Sequence, residues 1–302
     1  MKYVLFVVGA GILFGSTGTT QAFAPASASS LSIGSARLGF GGLLLALIAL
    51  AVHLRKPQLM REAKGGWQTW AAILIGGASV MAYQATFFAG TRANGVAIGT
   101  VIAIGSSPLF AGLFEWLILR LKPDLIWFGL TLLGIGGVYL LSVLGSAEVM
   151  AESADLGGVA ASLGAGASYA SYVVAMRVVL ARGWSSLAAV ASMLGFGSLL
   201  AFGTLATTDA SWLGSTHGLL VVAWLAIVTV VASYILNSAG LAGVNAATAA
   251  TLTLAEPATA ATLGVLVLHE ALTGYGVLGI ALVVLSVVLI GLPRRKADVK
   301  TS

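Results

Sequence analysis

Ten stretches of about 20 apolar residues follow one another along the 302-residue chain, near 3–24, 32–52, 67–89, 95–119, 125–144, 156–181, 186–206, 215–236, 243–267 and 273–291. As helices, each is long enough to cross a hydrocarbon core about 30 Å thick. Between them lie only short connections and a tail, which leaves no room for a soluble catalytic domain. The chain is 59% apolar and 8% charged, against roughly 25% charged in a soluble domain, so its surface has to face lipid. A membrane β-barrel would alternate polar and apolar residues. ALVVLSVVLIG (281–291) and GVLVL (264–268) are continuously apolar instead. The expected fold is an all-α polytopic membrane protein with ten transmembrane helices.

Basic residues sort by connection. Thirteen of the fifteen lie at Lys2, at Arg55, Lys56, Arg61 and Lys64, at Arg120 and Lys122, at Arg177 and Arg182, and in the tail from Arg294 to Lys300. The alternate connections carry Glu148, Glu152, Asp155 and Asp209, with Arg92 as their one basic residue. The positive-inside rule then places both termini in the cytoplasm, which needs an even number of spans. This placement also explains the formal charge of +5 without nucleic acid, and none is expected as a partner. Lys2 and the Ala22-Phe23-Ala24 stretch could mark a cleaved signal peptide. However, GAGILFGSTG (9–18) is matched by GAGASYASYV (164–173), each opening one half of the chain, so the first span is expected to be retained. With no cysteine, disulfides, thiolate catalysis and Cys-ligated metals are excluded.

The repeat extends further. AIGTVIAIGSSPLFAGL (97–113) pairs with NAATAATLTLAEPATAATL (245–263), which sets Pro108 and Pro257 149 residues apart. Five spans per half is an odd number, so the second half must lie inverted relative to the first, a construction common in secondary transporters. The expected organisation is a first five-helix repeat over 1–144, an outer connecting loop over 145–155, a second repeat over 156–291 and a basic cytoplasmic tail over 292–302. Proline in a span frees a backbone carbonyl, which lipid does not tolerate unless protein or water faces it. Pro108 and Pro257 are thus candidate helix breaks marking the fourth and ninth spans as lining the centre. They also suit simple kinks between packed helices.

Polar groups inside a bundle point to a solute pathway. The first span offers Thr17 and Gln21; the third offers Tyr83, Gln84 and, on the face of Tyr83, Phe87. Tyr169 and Tyr172 in the sixth span and Tyr234 in the eighth complete an expected aromatic cavity. Glu256 sits near mid-membrane, where it could carry a proton, hydrogen-bond a solute or satisfy the bent backbone. Arg37, about five residues into the second span, can snorkel to the outer interface and reads as an anchor or a helix-pairing charge. Glu115 and Arg120 read as hydrated residues near a span end, and the Trp residues mostly as an interfacial belt. Phosphorylated solutes would call for Lys or Arg in the cavity, and no Lys falls in the core of any span. Neutral or zwitterionic metabolites fit better, amino acids above all.

GILFGSTG (11–18), SARLGFGGLLLAL (35–47), GLTLLGIGGVYLL (129–141) and, most clearly, LAEPATAATLGVLVLHEALTGYGVLGIALVVLSVVLIG (254–291) resemble the EamA-type members of the drug/metabolite transporter superfamily. The likeness covers nearly the whole chain and is similar in kind to amino acid exporters of the YddG type. It implies an inverted five-plus-five fold and outward transport through a central cavity. It also implies a solute near Tyr83 and Gln84, a structural or gating role for Glu270, and residence in the plasma (inner) membrane of a bacterial or archaeal cell. Where a Glu matching Glu270 would be expected, the first half has Arg120-Leu121.

The expected function is export of small neutral or zwitterionic metabolites by alternating access, amino acids first, aromatic ones included. Other small metabolites, drugs, or a passive channel-like facilitator are the alternatives. No cofactor or metal is implied. The partners are the solute and the bilayer, with protons as a further candidate, and one chain suffices for a complete pathway. An intramembrane enzyme would need a nucleophile with a base, or clustered ligands, at depth. His53, His217 and His269 all lie near span ends.

Overall fold

The computed structural model describes residues 1–60, 65–145 and 155–292. Its ten long apolar helices are α1 (Lys2–Ala22), α2 (Ser30–Arg55), α3 (Trp67–Asn94), α4 (Val96–Leu119), α5 (Leu125–Leu144), α6 (Leu156–Ala181), α7 (Ser186–Leu205), α8 (Thr216–Leu241), α9 (Ala246–Leu268) and α10 (Gly274–Gly291). The described residues contain no strand. Most of the expected loop (145–155) and tail (292–302) lie outside the described residues.

Local chemistry sets the helix starts. Side chains of Ser29, Asp124, Asp155, Ser185, Asn245 and Thr273 each accept a backbone N–H from the first turn that follows, satisfying donors that lipid could not. Two helices end on non-glycine residues in left-handed backbone: Arg120 after α4 (φ 59°) and His269 after α9 (φ 57°). They are 149 positions apart, the same spacing as Pro108 and Pro257. The repeat is therefore written into the backbone as well as the sequence.

Packing obeys the same exchange of halves. α3 packs on α6, as α8 packs on α1; α4 packs on α6, as α9 packs on α1; α2 pairs with α7 and α5 with α10. Swapping each helix for its counterpart five later maps this set onto itself, as an inverted repeat requires. Both described chain ends share one face, where Gly291 approaches Val4. We call it the terminal face.

Three departures from regular helix matter for the centre. α5 ends in a π-helical turn (Leu140–Leu144), and α8 contains a π-helical stretch (Leu225–Ala232). α9 is divided into α9a (Ala246–Leu252) and α9b (Ala255–Leu268). The remaining candidate break, Pro108, does not interrupt its helix: α4 runs unbroken from Val96 to Leu119. The hydroxyls of Ser106 and Ser107 bond to the Ala103 carbonyl (3.3 and 2.8 Å) in the turn before it, and α6 packs alongside.

The terminal face is closed by hydrogen bonds at helix ends, one pair of them between the halves. Glu115, expected to be hydrated, is 1% exposed. Its two carboxyl oxygens accept the Ala246 and Ala247 N–H groups (2.8 and 3.0 Å), so a residue of α4 caps α9a. Arg177 Nη1 of α6 donates to the Leu241 carbonyl that ends α8 (2.8 Å). Three tryptophans also leave the expected belt: Trp127, Trp184 and Trp212 are buried, the last donating to Ser32 Oγ (2.9 Å).

Two outcomes are expected. Glu115→Ala strands two buried donors at about 1–3 kcal/mol each, so thermal unfolding in detergent should show a marked loss, with Glu115→Gln in between. In α5, a Cβ on Gly137 would lie 2.8 Å from the Gly279 carbonyl oxygen, whereas one on Gly136 meets nothing within 4 Å. Gly137→Ala should therefore lower the melting temperature and Gly136→Ala leave it unchanged or slightly higher.

Candidate functional site

Pro257 has no N–H to offer the Thr253 carbonyl four residues earlier. The Glu256 N–H takes that carbonyl instead at 2.9 Å, and the Leu254 N–H likewise reaches back three residues, to Thr251 (3.1 Å). The helix tightens there, α9b begins, and Glu256 falls in its first turn, where the helix dipole favours a carboxylate. α1 lies directly against this turn because Gly15 has no side chain: a Cβ there would be 2.7 Å from the Glu256 carbonyl oxygen and 2.6 Å from Thr259 Cβ.

Glu256 lines a cavity of about 530 Å³, within the range of small-molecule sites. Its walls come from the far ends of α1, α3, α4, α5 and α9b, so it opens on the face opposite the chain ends. A narrow recess of about 40 Å³ continues inward, sharing Phe14, Thr17, Arg37, Tyr83, Gln84 and Glu256 with the main chamber. Thr17, Gln21, Tyr83, Gln84, Phe87, Glu256, Pro257 and Glu270 line the chamber; Tyr169, Tyr172 and Tyr234 line only the recess. Pro108 lines neither. The fourth span reaches the cavity through Val96, Ala97, Thr100 and Ile104 instead.

The aromatic residues form one continuous wall. Phe87 stacks on Tyr83 (5.5 Å between centroids), which meets Tyr169 (6.4 Å), then Tyr172 (6.3 Å), Tyr234 (5.3 Å) and Phe14 (5.2 Å). Tyr169 donates its hydroxyl to Thr253 Oγ1 at the break in α9 (3.2 Å). Such a wall offers apolar faces with polar edges to a solute.

Arg37 was not expected in the cavity, and of its two expected roles, interfacial anchor and helix-pairing charge, the structure shows the second. It does not snorkel to an interface. Nη1 donates to Thr17 Oγ1 (3.1 Å) and Thr229 Oγ1 (3.4 Å), and Nη2 to Gln84 Oε1 (3.4 Å). One guanidinium thus joins α1, α2, α3 and α8. The signal lay in its neighbours: Gly34, Ser35 and Ala36 are small and buried, so a side chain leaving that turn meets other helices before it meets headgroups. Phe14 and Thr229 were missed as well. Thr229 belongs to the π-helical stretch of α8, which no simple helical period anticipates.

At the chamber mouth, the Glu270 N–H bonds to the Gly264 carbonyl (3.1 Å), and its carboxylate fills the space where a side chain on residue 264 would be. His269 is an exposed helix cap. Among the described residues no group of His, Cys, Asp and Glu is arranged to hold a metal ion.

Comparisons with known proteins bear on the family and the fold. The EamA-like transporter family matches twice, at residues 1–143 and 156–292. An uncharacterized transporter of Bacillus subtilis, YwfM, is 36% identical over 97% of this chain and 95% of its own length. The threonine/homoserine exporter RhtA of Salmonella typhimurium is 28% identical over 82% of this chain and 77% of its own. A protein crystal structure superposes with a TM-score of 0.78 over 96% of both chains at 19% identity, which bears on the fold alone. Matched in both halves and similar over its full length to a relative at 36% identity, the chain belongs to the EamA-like transporter family: it is a ten-span membrane transporter of small molecules and not an enzyme.

Proposed function

We propose that the protein exports small neutral or zwitterionic amino acids, aromatic ones included, across the plasma membrane by alternating access. The observation that carries this reading is the cavity itself. Within about 530 Å³ it gathers a guanidinium, a carboxyl, an amide and hydroxyls beside an aromatic wall, a lining suited to a polar head with an apolar side chain. The threonine/homoserine export named for the Salmonella relative supports the same class at 28% identity. With the basic connections on the terminal face, both chain ends are cytoplasmic and the cavity opens to the outside. The two repeats, 1–144 and 156–291, then rock about the site as bodies, the Glu115 cap between them opening as the cytoplasmic side opens. A single chain forms the whole route.

Purified protein in sealed liposomes loaded with a panel of labelled amino acids is expected to release neutral or aromatic members faster than empty liposomes do. Monodisperse protein that unfolds cooperatively yet releases none of them would overturn the substrate class and favour other metabolites or drugs. The orientation has its own check, made simple by the absence of cysteine. In intact cells, Ser27→Cys, in the exposed turn after α1, should react with an impermeant maleimide. Gln58→Cys, exposed after α2, should react only after permeabilisation.

A further inference from the structure

We propose that Arg37 and Glu256 form a two-pole clamp for the free α-amino acid backbone, Arg37 holding the carboxylate and Glu256 the ammonium, while the Tyr83–Phe87 stack takes the side chain. This deepens the amino acid reading above and rests on it.

Among the described residues, every hydrogen-bond acceptor of Arg37 is neutral: two threonine hydroxyls and one amide oxygen, at 3.1, 3.4 and 3.4 Å. These contacts fix the plane of the guanidinium without neutralising it. Its supports are themselves held: Gln84 Nε2 donates to the Gly34 carbonyl (3.3 Å) and Thr229 Oγ1 to the Leu225 carbonyl (2.7 Å). A positioned guanidinium hydrogen-bonded only to neutral groups is well matched to a carboxylate, which it can meet with two parallel bonds.

The recess contains one positive and one acidic side chain, Arg37 and Glu256; Glu270 lies out at the mouth. A solute that brings one carboxylate and one ammonium leaves neither pole unmatched. A solute with only one charge leaves a pole facing it unpaired in a low-dielectric site, which is costly. This selects zwitterions over net cations and net anions of the same size. The Tyr83 and Phe87 rings, 13° from parallel and 5.5 Å apart, stand beside Gln84 in α3 and give the side chain an apolar face without a strict shape. The backbone is read closely and the side chain loosely.

The test uses proteoliposomes and three forms of whichever amino acid the wild type releases fastest: the free amino acid, its primary amide, which lacks the carboxylate, and its N-acetyl derivative, which lacks the ammonium. Wild type should move the free amino acid about tenfold or more faster than either derivative. Arg37→Gln should bring the free amino acid down to the rate of the amide, with Arg37→Lys recovering part of the preference. Glu256→Gln should level the free amino acid with the N-acetyl form while still rejecting the amide. Melting curves of each variant guard against misfolding. If the variants slow all three solutes equally and leave the ratios unchanged, the two residues are structural and the clamp is wrong. Equal transport of all three forms by wild type also removes the clamp but leaves amino acid transport standing. No release of any form by folded wild type would remove both.

Discussion

A backbone carbonyl at membrane depth must find a donor, because lipid supplies none. At Pro257 the donor four residues on is missing, and much of the centre follows from where the Thr253 carbonyl turns instead. It is taken by the N–H of Glu256, which tightens the chain, separates α9a from α9b and places Glu256 at a helix start facing the cavity. Tyr169 then ties the aromatic wall to the same residue through the Thr253 hydroxyl, and Gly15 allows α1 to close over the turn. Satisfying one backbone group thus helps to set the shape, polarity and rim of the site.

The inverted repeat is close in packing and unequal in detail. Pro108 and Pro257 are counterparts, yet the first lies in a continuous helix packed against α6 and the second opens α9b on the cavity. Glu115 makes a bond between halves on the terminal face. Its positional counterpart, 149 residues on, is Gly264, and the Glu270 carboxylate occupies the space that glycine leaves. The two faces therefore carry carboxylates at related places, one engaged with a helix start across the halves and one folded over its own helix at the open mouth. That inequality is what a structure open on one side and closed on the other requires.

Much of this was legible in the sequence. Span number and limits follow from apolar length, and α9 was marked by a proline beside a carboxyl in an otherwise apolar run. The tyrosines were visible as polar groups at depth. What stayed hidden was direction around the helix axis. Depth follows from counting residues, but the side toward which Arg37 points depends on the packing of α1, α3 and α8 around it. Glu115 was misread for the same reason, since proximity to a span end implied water until α9a was seen to cover it. Trp127, Trp184 and Trp212 likewise have belt-like positions and buried rings. The π-helical stretches mislead further, because each advances the helix face out of step with a regular period.

The stretch Leu225–Ala232 in α8 also stores length. A π turn holds about one residue more than an α turn, so rewinding it would advance the chain beyond Ser233 by about 1.5 Å and turn it by about 100°. Thr229, which supports Arg37, lies within the stretch, and Tyr234, which bridges Tyr172 and Phe14, lies just after it. The threonine that braces Arg37 and the ring that closes the aromatic wall thus share one helix at and just beyond its surplus residue, so that any change in the winding there would be felt by both.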